Sequence, residues 1–161
     1  MVPPKKASDP ADAALAAAVL FDTPGHLLRR AYQVAEDLYM QEVGDAGPTP
    51  RQFAVMLTIY QNEGLNQQDL VRLTGIDRST MAEMVGRLIK RGWLTRRRTE
   101  HDQRAYALSV AEDGRAALRA CADAVERAQE RILAPLPPAR RAEFIDSLRT
   151  LAGTGRKDGE N

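Results

Sequence analysis

The chain has 161 residues, of which 43% are apolar and 28% are charged, and its formal net charge is +1. This length fits one domain or one subunit of an oligomer, and the few aromatic residues favour a mostly helical protein. A single cysteine excludes an intramolecular disulfide, and two histidines are too few for a metal cluster. Without a signal peptide or a membrane-spanning run, we expect a cytoplasmic protein with no metal and no cofactor.

The first helix is predicted after an irregular N-terminal segment. Residues 1–10 show no apolar periodicity, which predicts a disordered arm, and a short helix is compatible with residues 11–20. Thr23 and Pro24 form a helix-start signal, with the threonine as N-cap. We therefore expect a helix from Pro24 to about Val43, where apolar residues recur at helical spacing.

A second helix is predicted after a break at residues 44–48. Thr49 and Pro50 repeat the start signal, and Gln52 completes a capping box three residues after the cap. The helix expected from Pro50 to about Asn62 is apolar on most sides. It should therefore be buried and join two halves of the fold.

Residues 66–104 predict two short helices joined by a tight turn, followed by a basic hairpin. Asn66 is expected to cap the first helix, Gly75 stands where the chain must reverse, and Asp77 is expected to cap the second helix. The first helix should turn Leu70, Leu73 and Ile76 inward, and the second helix Met81, Met84, Val85 and Leu88. This arrangement predicts a helix-turn-helix.

The hairpin that follows converts this motif into a winged helix. Gly92 closes the second helix, and strands are expected at residues 93–97 and 105–110 with a polar tip between them. Residues 66–104 contain nine basic and five acidic residues, and residues 87–98 contain six basic residues and no acidic one. Such a patch on a nearly neutral chain indicates contact with a polyanion. The alternative is a solvated charged face.

The C-terminal part predicts a long helix and a last short one. Ser109 and Glu112 form a capping-box signal, and the long helix should end at Pro135 after about 36 Å. Its apolar face is marked by Leu118, Ala122, Val125, Ile132 and Leu133. The last helix should start at Pro137-Pro138. Because these faces exceed the reach of one small core, we expect a homodimer through the terminal helices.

Residues 49–114 resemble the MarR family of bacterial transcriptional regulators, and the resemblance extends over roughly residues 24–152. The matching segments are TPRQF, NQQDL, TGIDRST, RLIKRGWLTRR, the wing segment DQR and LSVAEDG. The resemblance implies a mainly α, dimeric winged-helix repressor that binds pseudo-palindromic double-stranded DNA. Such repressors are released by a small ligand, frequently an aromatic acid or a phenol.

The expected organisation has five parts. These are an arm (1–10), N-terminal dimerisation helices (11–48), the winged helix-turn-helix DNA-binding domain (49–110), C-terminal dimerisation helices (111–152) and a flexible tail (153–161). The resemblance also implies which residues contact DNA. The start of the first motif helix should meet phosphates, and the start of the second should meet base edges. The candidates are Asn66, Gln67, Gln68, Arg78, Ser79, Thr80 and, for phosphate, Arg87.

In the wing, the resemblance implies that a carboxylate, Asp102, orients Arg104 toward a minor groove. The family often has two consecutive arginines after the aspartate, and here the first is Gln103. Arg98, with the two arginines before it, is a candidate to compensate. The alternative is a hairpin salt bridge worth less than about 1 kcal/mol. Ser79 and Thr80 could likewise be helix-start residues only.

Family ligands lie between the dimerisation helices and the winged-helix lobe. The candidate ligand residues are His26, Arg29, Arg30, Tyr32, Tyr39, Phe53, Met56, Tyr60 and Trp93. The segment GHLLRRAYQ resembles regulators of aromatic-acid and hydroxycinnamate catabolism, some of which respond to a coenzyme A thioester. The two arginines suit a carboxylate or phosphates. The alternatives are a solvated arginine face and aromatic residues that belong to the core.

Other functions stay open at this stage. An oxidant-sensing repressor would use Cys121, which then needs a depressed pKa and solvent access. A winged helix can also serve protein–protein contacts. An enzyme is disfavoured, because the sequence offers no nucleophile–base pair, no paired catalytic carboxylates and no phosphate loop.

Overall fold

The computed structural model describes residues 19–62, 64–98 and 106–154. Its helices are α1 (Pro24–Val43), α2 (Pro50–Gln61), α3 (Gln67–Thr74), α4 (Arg78–Lys90), α5 (Glu112–Leu133) and α6 (Pro138–Leu151), and its strands are β1 (Leu94–Arg98) and β2 (Tyr106–Val110). In these ranges, no helix combines the length and apolarity needed to cross a membrane. The predicted arm and most of the flexible tail lie outside the described residues.

The chain divides into two compact units, residues 1–35 and 36–161. In the first unit, a one-turn 3₁₀ helix (Leu20–Asp22) precedes α1. The Thr23 hydroxyl, which the sequence predicts as the cap of α1, donates to the Val19 carbonyl oxygen at 3.3 Å. Large apolar side chains of this unit are exposed: Val19, Leu20, Phe21, Leu27, Leu28, Tyr32 and Val34.

The second unit begins with the end of α1 and the loop at residues 44–48. Tyr39 is buried there, and its hydroxyl donates to the Pro48 carbonyl oxygen at 3.1 Å. Burial raises the pKa of the Tyr39 hydroxyl, which therefore stays protonated and keeps donating. The Tyr39 ring also lies 6.3 Å from the Phe53 ring, centroid to centroid. This side chain anchors the loop between α1 and α2.

The predicted cap of α2 is confirmed. The Thr49 hydroxyl accepts from the Gln52 amide nitrogen at 3.3 Å, and the Gln52 side-chain oxygen accepts from the Thr49 amide nitrogen at 3.1 Å. This reciprocal pair satisfies two backbone donors that the first helical turn leaves without partners. The helix therefore begins at Pro50, as predicted.

The core lies where α2, α3, α4, the two strands and the start of α5 meet. It consists of Val55, Met56, Ile59, Leu70, Met81, Val85, Leu88, Trp93, Leu94, Leu108, Val110 and Leu118. The predicted inner face of α4 is confirmed, and Met84 packs at its edge. Leu73 is 45% exposed, contrary to prediction. The helix α3 has only eight residues, and it buries Leu70 alone.

The turn between α3 and α4 follows the prediction. The Asn66 side-chain oxygen accepts from the amide nitrogens of Gln68 and Asp69 at 2.8 and 3.0 Å, which caps α3. Gly75 then adopts a φ of 70° at the C-cap of α3. Side chains with a Cβ rarely adopt this left-handed conformation, so glycine permits the tight reversal. The two helices of the motif are thereby held close together.

The wing is an antiparallel pair of strands. Its register runs from Leu94 opposite Val110 to Arg98 opposite Tyr106. The Leu108 amide nitrogen also donates to the Leu65 carbonyl oxygen at 2.9 Å, which ties β2 to the segment before α3. The predicted winged helix is therefore confirmed.

The start of α5 differs from the prediction. Ser109 does not cap the helix, because it lies in β2 opposite Thr95, and Ala111 takes the N-cap position without a side-chain hydrogen bond. The Ala111 amide nitrogen instead donates to the Trp93 carbonyl oxygen at 3.0 Å. Because Ser109 is paired within the sheet, it does not act as the helix cap that the local sequence predicts.

The buried face of α5 also differs from the predicted apolar stripe. It passes through Gly114, Leu118, Cys121 and Ala128, whereas Ala122 is exposed. The helix has 22 residues, or about 33 Å at 1.5 Å per residue. The last helix begins at Pro138, as predicted, and it exposes Phe144, Leu148 and Leu151.

Candidate functional site

The first turn of α4 is ordered by Asp77. Its carboxylate accepts from the Ser79 hydroxyl at 2.6 Å and from the Thr80 amide nitrogen at 2.9 Å. These hydrogen bonds hold the pKa of the Asp77 carboxyl well below its usual range, and the bond from Ser79 has the largest effect. Arg78 is exposed at the head of the same turn. Three predicted base-contacting residues therefore share one rigid turn, although the Ser79 hydroxyl is engaged with the cap.

The solvent side of α4 is mostly polar and carries three basic side chains. Its exposed residues are Arg78, Ser79, Ala82, Glu83, Gly86, Arg87 and Lys90. The guanidinium of Arg87 forms an ion pair with Glu83, and both side chains are largely exposed. A DNA phosphate would therefore have to compete with this carboxylate for the Arg87 guanidinium.

The start of α3 presents a second polar surface. Gln67 and Gln68 are exposed, whereas Asn66 is half-buried and holds its side-chain oxygen in the cap. The Asp69 carboxylate in turn accepts a hydrogen bond from the backbone N–H of Asn66 at 3.2 Å. The two glutamine side chains are thus the groups of this predicted set that are open to a phosphate.

The wing continues the basic surface. Arg96 and Arg97 are exposed, and the Arg96 guanidinium carbon lies 5.1 Å from the centroid of the Tyr106 ring. Arg98 is the last residue of β1. Asp102 and Arg104, predicted to form the wing pair, lie outside the described residues. Their contact with a minor groove stays a prediction.

Arg91 belongs to the same basic run but has a structural role. Its guanidinium carbon lies 3.6 Å from the centroid of the Trp93 ring, and its Nη2 donates to the Ala46 carbonyl oxygen at 2.7 Å. The hydrogen bond links the end of α4 to the loop before α2, and the cation–π contact holds the guanidinium on the Trp93 ring. The six basic residues of the segment 87–98 therefore do not form one uniform surface for binding a polyanion.

The predicted ligand residues fall into separate environments. In the first unit, His26 is half-buried near Phe21, with the ring centroids 5.5 Å apart, and Arg29, Arg30 and Tyr32 are exposed on α1. In the second unit, the structure places three of the candidates in its interior. Tyr39 is buried, Met56 is fully buried in the core, and Trp93 packs in the core beneath Arg91.

Phe53 and Tyr60 line a cavity of about 200 Å³ between α2 and α5, which we call the ring cavity. Its walls are formed by Phe53, Leu57, Tyr60, Arg115, Leu118, Arg119 and Ala122. Mostly apolar walls with a few polar groups are typical of small-molecule sites. The sequence did not indicate Leu57, Arg115, Leu118 or Arg119, because the packing of α5 against α2 has no local signal.

A second cavity, of about 310 Å³, lies at the base of the wing, and we call it the wing cavity. It is lined by Ile59, Tyr60, Leu108, Ser109, Val110 and Arg115. Tyr60 and Arg115 line both cavities. The two spaces therefore adjoin along these side chains.

A third cavity, of about 390 Å³, lies on the other side of α5. It is lined by Glu42, Val43, Ala46, Gly47, Ala117, Ala120, Cys121, Ala124 and Arg127. The Glu42 carboxylate accepts from Arg127 Nε at 2.9 Å and from Arg131 Nη1 at 2.8 Å. These bonds lower the pKa of Glu42. They join the end of α1 to the long helix.

Cys121 is buried beside this third cavity. Its Sγ donates to the Leu118 carbonyl oxygen at 3.4 Å, and burial raises the pKa of the thiol. A reactive thiol needs the opposite shift and solvent access. Among the described residues, no group of three or more histidine, cysteine, aspartate or glutamate side chains could hold a metal ion.

Two helices joined by a tight glycine turn, an exposed polar recognition helix and a basic hairpin define a winged helix-turn-helix DNA-binding protein. The MarR family model matches residues 49–106. The chain is also 34% identical to the PcaV transcriptional regulator from Streptomyces coelicolor in complex with its natural ligand, with a TM-score of 0.79 over 85% of this chain and 96% of PcaV. The chain belongs to the MarR family of transcriptional regulators.

Two further solved structures are similar to this chain. The transcriptional repressor CouR, bound to a 23-mer DNA duplex, is 30% identical, with a TM-score of 0.76 over 83% of this chain and 94% of CouR. BpsR from Bordetella bronchiseptica, whose DNA binding is regulated by 6-hydroxynicotinic acid, is 27% identical. Its TM-score is 0.79 over 89% of this chain and 99% of BpsR.

Proposed function

We propose that this protein is a repressor of genes for aromatic-compound catabolism. It would bind a pseudo-palindromic operator as a homodimer and leave it when an aromatic acid, or its coenzyme A thioester, binds. The observation that carries this proposal is the ring cavity, because an apolar space for one aromatic ring adjoins two arginines and the DNA-binding lobe. BpsR, which responds to 6-hydroxynicotinic acid, supports the ligand class.

The DNA contacts follow from the exposed polar surfaces of α3 and α4. We place the first turn of α4 at base edges. Phosphates would be contacted by Gln67, Gln68 and Arg87. The wing would enter the neighbouring minor groove with Arg98, Asp102 and Arg104. The complex of CouR with a DNA duplex supports this placement by similarity. In this scheme residues 49–110 read DNA, and residues 11–48 and 111–152 form the dimer.

The dimer is supported by exposed apolar side chains outside the DNA-binding lobe. In the second unit these are Phe144, Leu148 and Leu151 of α6, the last being 71% exposed. The first unit separately exposes the set that includes Phe21 and Leu27. A second copy that covers such surfaces would remove them from water, and two-fold dimers are the commonest homo-oligomers. A folded monomer at micromolar concentration in sedimentation would contradict this part.

The ligand's charged group has two candidate locations. The resemblance favours Arg29 and Arg30, both exposed on α1, for a carboxylate or for coenzyme A phosphates. The ring cavity offers Arg115 and Arg119 instead. At about 200 Å³ the ring cavity is smaller than the about 300–1,000 Å³ of typical ligand sites, so it favours a free single-ring acid over a thioester.

The test is footprinting of the region that flanks the protein's own gene, with and without candidate effectors. The panel comprises 6-hydroxynicotinate, benzoate, 4-hydroxybenzoate, 4-hydroxycinnamate and the corresponding coenzyme A thioesters. We expect two protected half-sites about one helical turn apart, and loss of protection with at least one compound. Absence of protection at low salt would contradict the DNA function, and protection unchanged by all compounds would contradict the ligand class.

The alternatives are less well supported. A cysteine-based oxidant sensor conflicts with the burial of Cys121. A winged helix that serves protein contacts would not require an exposed basic surface, and its partner affinity would lack the steep salt dependence of DNA binding. We propose that the protein acts in the cytoplasm, where it meets DNA, and that it works by binding rather than by catalysis.

A further inference from the structure

Arg115 occupies an unusual position at the junction of the ring cavity and the wing cavity. Among the described residues, no carboxylate lies within ion-pair distance of its guanidinium. The other arginine of the ring cavity, Arg119, pairs with Glu112 at 2.8 Å. Within the described part of the chain, Arg115 is therefore the cation of the ring cavity that has no carboxylate partner and can take an anionic ligand.

The same guanidinium holds the end of the wing. Arg115 Nε donates to the Val110 carbonyl oxygen at 3.2 Å, and Val110 is the last residue of β2. An arginine has five N–H donors in a planar fork, so several remain for a ligand. A carboxylate that takes the fork edge containing Nε would compete directly with this carbonyl.

The segment after Val110 is packed tightly on Trp93. The Ala111 amide nitrogen donates to the Trp93 carbonyl oxygen at 3.0 Å. A Cβ added at Gly114 would lie 2.2 Å from that oxygen. Because so little space remains, we expect a shift of Val110 to move the backbone at Trp93, the residue before β1.

We propose that Arg115 is the effector's anion-recognition residue and its physical link to the wing. The aromatic ring occupies the ring cavity, its carboxylate pairs bidentately with Arg115, and the Arg115–Val110 hydrogen bond breaks. This inference rests on the proposed function and deepens it. It names a carboxylate, rather than a phenol or a neutral ring, as the required group of the ligand, and it makes the root of the wing the first element to respond.

The first test compares Arg115→Met, Arg115→Lys and the matched control Arg119→Met. Operator release is measured by fluorescence anisotropy with two acid–amide pairs. The first pair is 4-hydroxybenzoate and its amide. The second pair is the most active acid of the effector panel and the amide of that acid. In the wild type the acid should be more effective than the amide by about tenfold or more, since charge-assisted bidentate pairs are the strong ones. Arg115→Met should abolish this preference, Arg115→Lys should retain part of it, and Arg119→Met should retain most of it.

The control measurements separate the possible failures. Arg119→Met should keep the wild-type melting temperature and ligand-free operator affinity, because Arg119 is exposed and outside the proposed DNA contacts. Arg115→Met lacks the hydrogen bond to Val110, so its ligand-free operator affinity should fall toward that of the effector-bound wild type, and its preference for acid over amide is compared with that lower starting affinity. If no acid releases the wild type, the proposed function fails and this inference fails with it. If the wild type responds and Arg115→Met keeps the preference for the acid over the amide, this inference alone is wrong.

The second test addresses the link to the wing. The chain has one tryptophan, Trp93, so its fluorescence reports on the wing root. A saturating acid should change the Trp93 emission of the wild type, and should leave that of Arg115→Met unchanged at a concentration that still saturates the variant. An identical emission change in both proteins would contradict the role of Arg115 as the link.

Discussion

At the scale of single residues, the arginines of the basic run have different roles despite their equal charge. Arg87 is exposed on α4 beside Glu83, whereas Arg91 stacks on Trp93 and bonds to the Ala46 carbonyl oxygen. A guanidinium that is engaged in this way contributes to packing, and one on an exposed face is available to a phosphate. Truncation of Arg91 should therefore reduce stability, whereas truncation of Arg87 should weaken DNA binding.

We expect Arg91→Ala to lower the free energy of unfolding by about 1 kcal/mol, through loss of the cation–π contact. The slope of log DNA affinity against log salt concentration should not change. Arg87→Ala should reduce that slope by about one, as expected for a lost phosphate contact, with little change in stability. Urea unfolding and salt titrations of operator binding measure both quantities. A reduced salt slope in the Arg91 variant would place that residue on DNA instead.

Cys121 provides a second prediction for a single residue. Because burial raises the pKa of its thiol, little thiolate exists near neutral pH. We expect the native protein to react with a thiol reagent only as fast as it opens, and the denatured protein to react at once. Peroxide treatment should leave operator affinity unchanged in both the wild type and Cys121→Ser. Peroxide-induced release of the wild type alone would revive the oxidant-sensing alternative.

At the scale of elements, two helices contain a glycine in opposite surroundings. Gly86 stands on the exposed face of α4 with open space around it, whereas Gly114 in α5 faces the Trp93 carbonyl oxygen. The same substitution by alanine therefore tests helix propensity in one case and close packing in the other.

Gly86→Ala should raise the free energy of unfolding by about 0.5–1 kcal/mol, because alanine loses less backbone entropy in a helix. Gly114→Ala should lower it by about 1–3 kcal/mol, because its Cβ would meet the Trp93 oxygen at 2.2 Å and Val110 Cγ1 at 2.9 Å. Equilibrium denaturation gives both values. Equal signs for the two variants would contradict the described packing at the start of α5.

At the scale of the whole molecule, the long helix connects the DNA-binding lobe to the region proposed for dimerisation. Its link to the end of α1 is the Glu42 carboxylate between Arg127 and Arg131. The hydrogen bonds from these arginines lower the pKa of Glu42 in the folded state. Such a group stabilises the fold above its unfolded pKa, which is about 4.3, and loses that contribution as pH falls through the folded value.

Glu42→Gln should therefore melt at a lower temperature than the wild type at pH 7, and the difference should shrink as the pH falls below about 4. Melting curves over this pH range test the expectation. The matched control is Glu130→Gln, which removes an exposed carboxylate from the long helix α5. A difference that stays constant down to the lowest pH would show that the lost interaction is not the ionised pair.

The sequence by itself determined the features that depend on near neighbours. The caps at Thr49, Asn66 and Asp77 each use donors within three residues, and the turn at Gly75 needs only its own backbone conformation. The inner face of α4 follows from helical periodicity, which is also local. For the same reason most helix boundaries, the hairpin and the winged helix-turn-helix class could be predicted without coordinates.

Only the tertiary structure decided the roles that depend on distant partners. Because β2 pairs with β1, Ser109 does not cap α5, and tertiary packing placed Met56 and Trp93 in the core. The bond from Arg91 to Ala46 spans 45 positions, and Arg115 gains its place only because α5 packs against α2 and the wing. Local hydrogen bonds can be inferred from neighbouring residue types, whereas the use of an exposed arginine depends on which distant backbone and side chains the fold brings beside it.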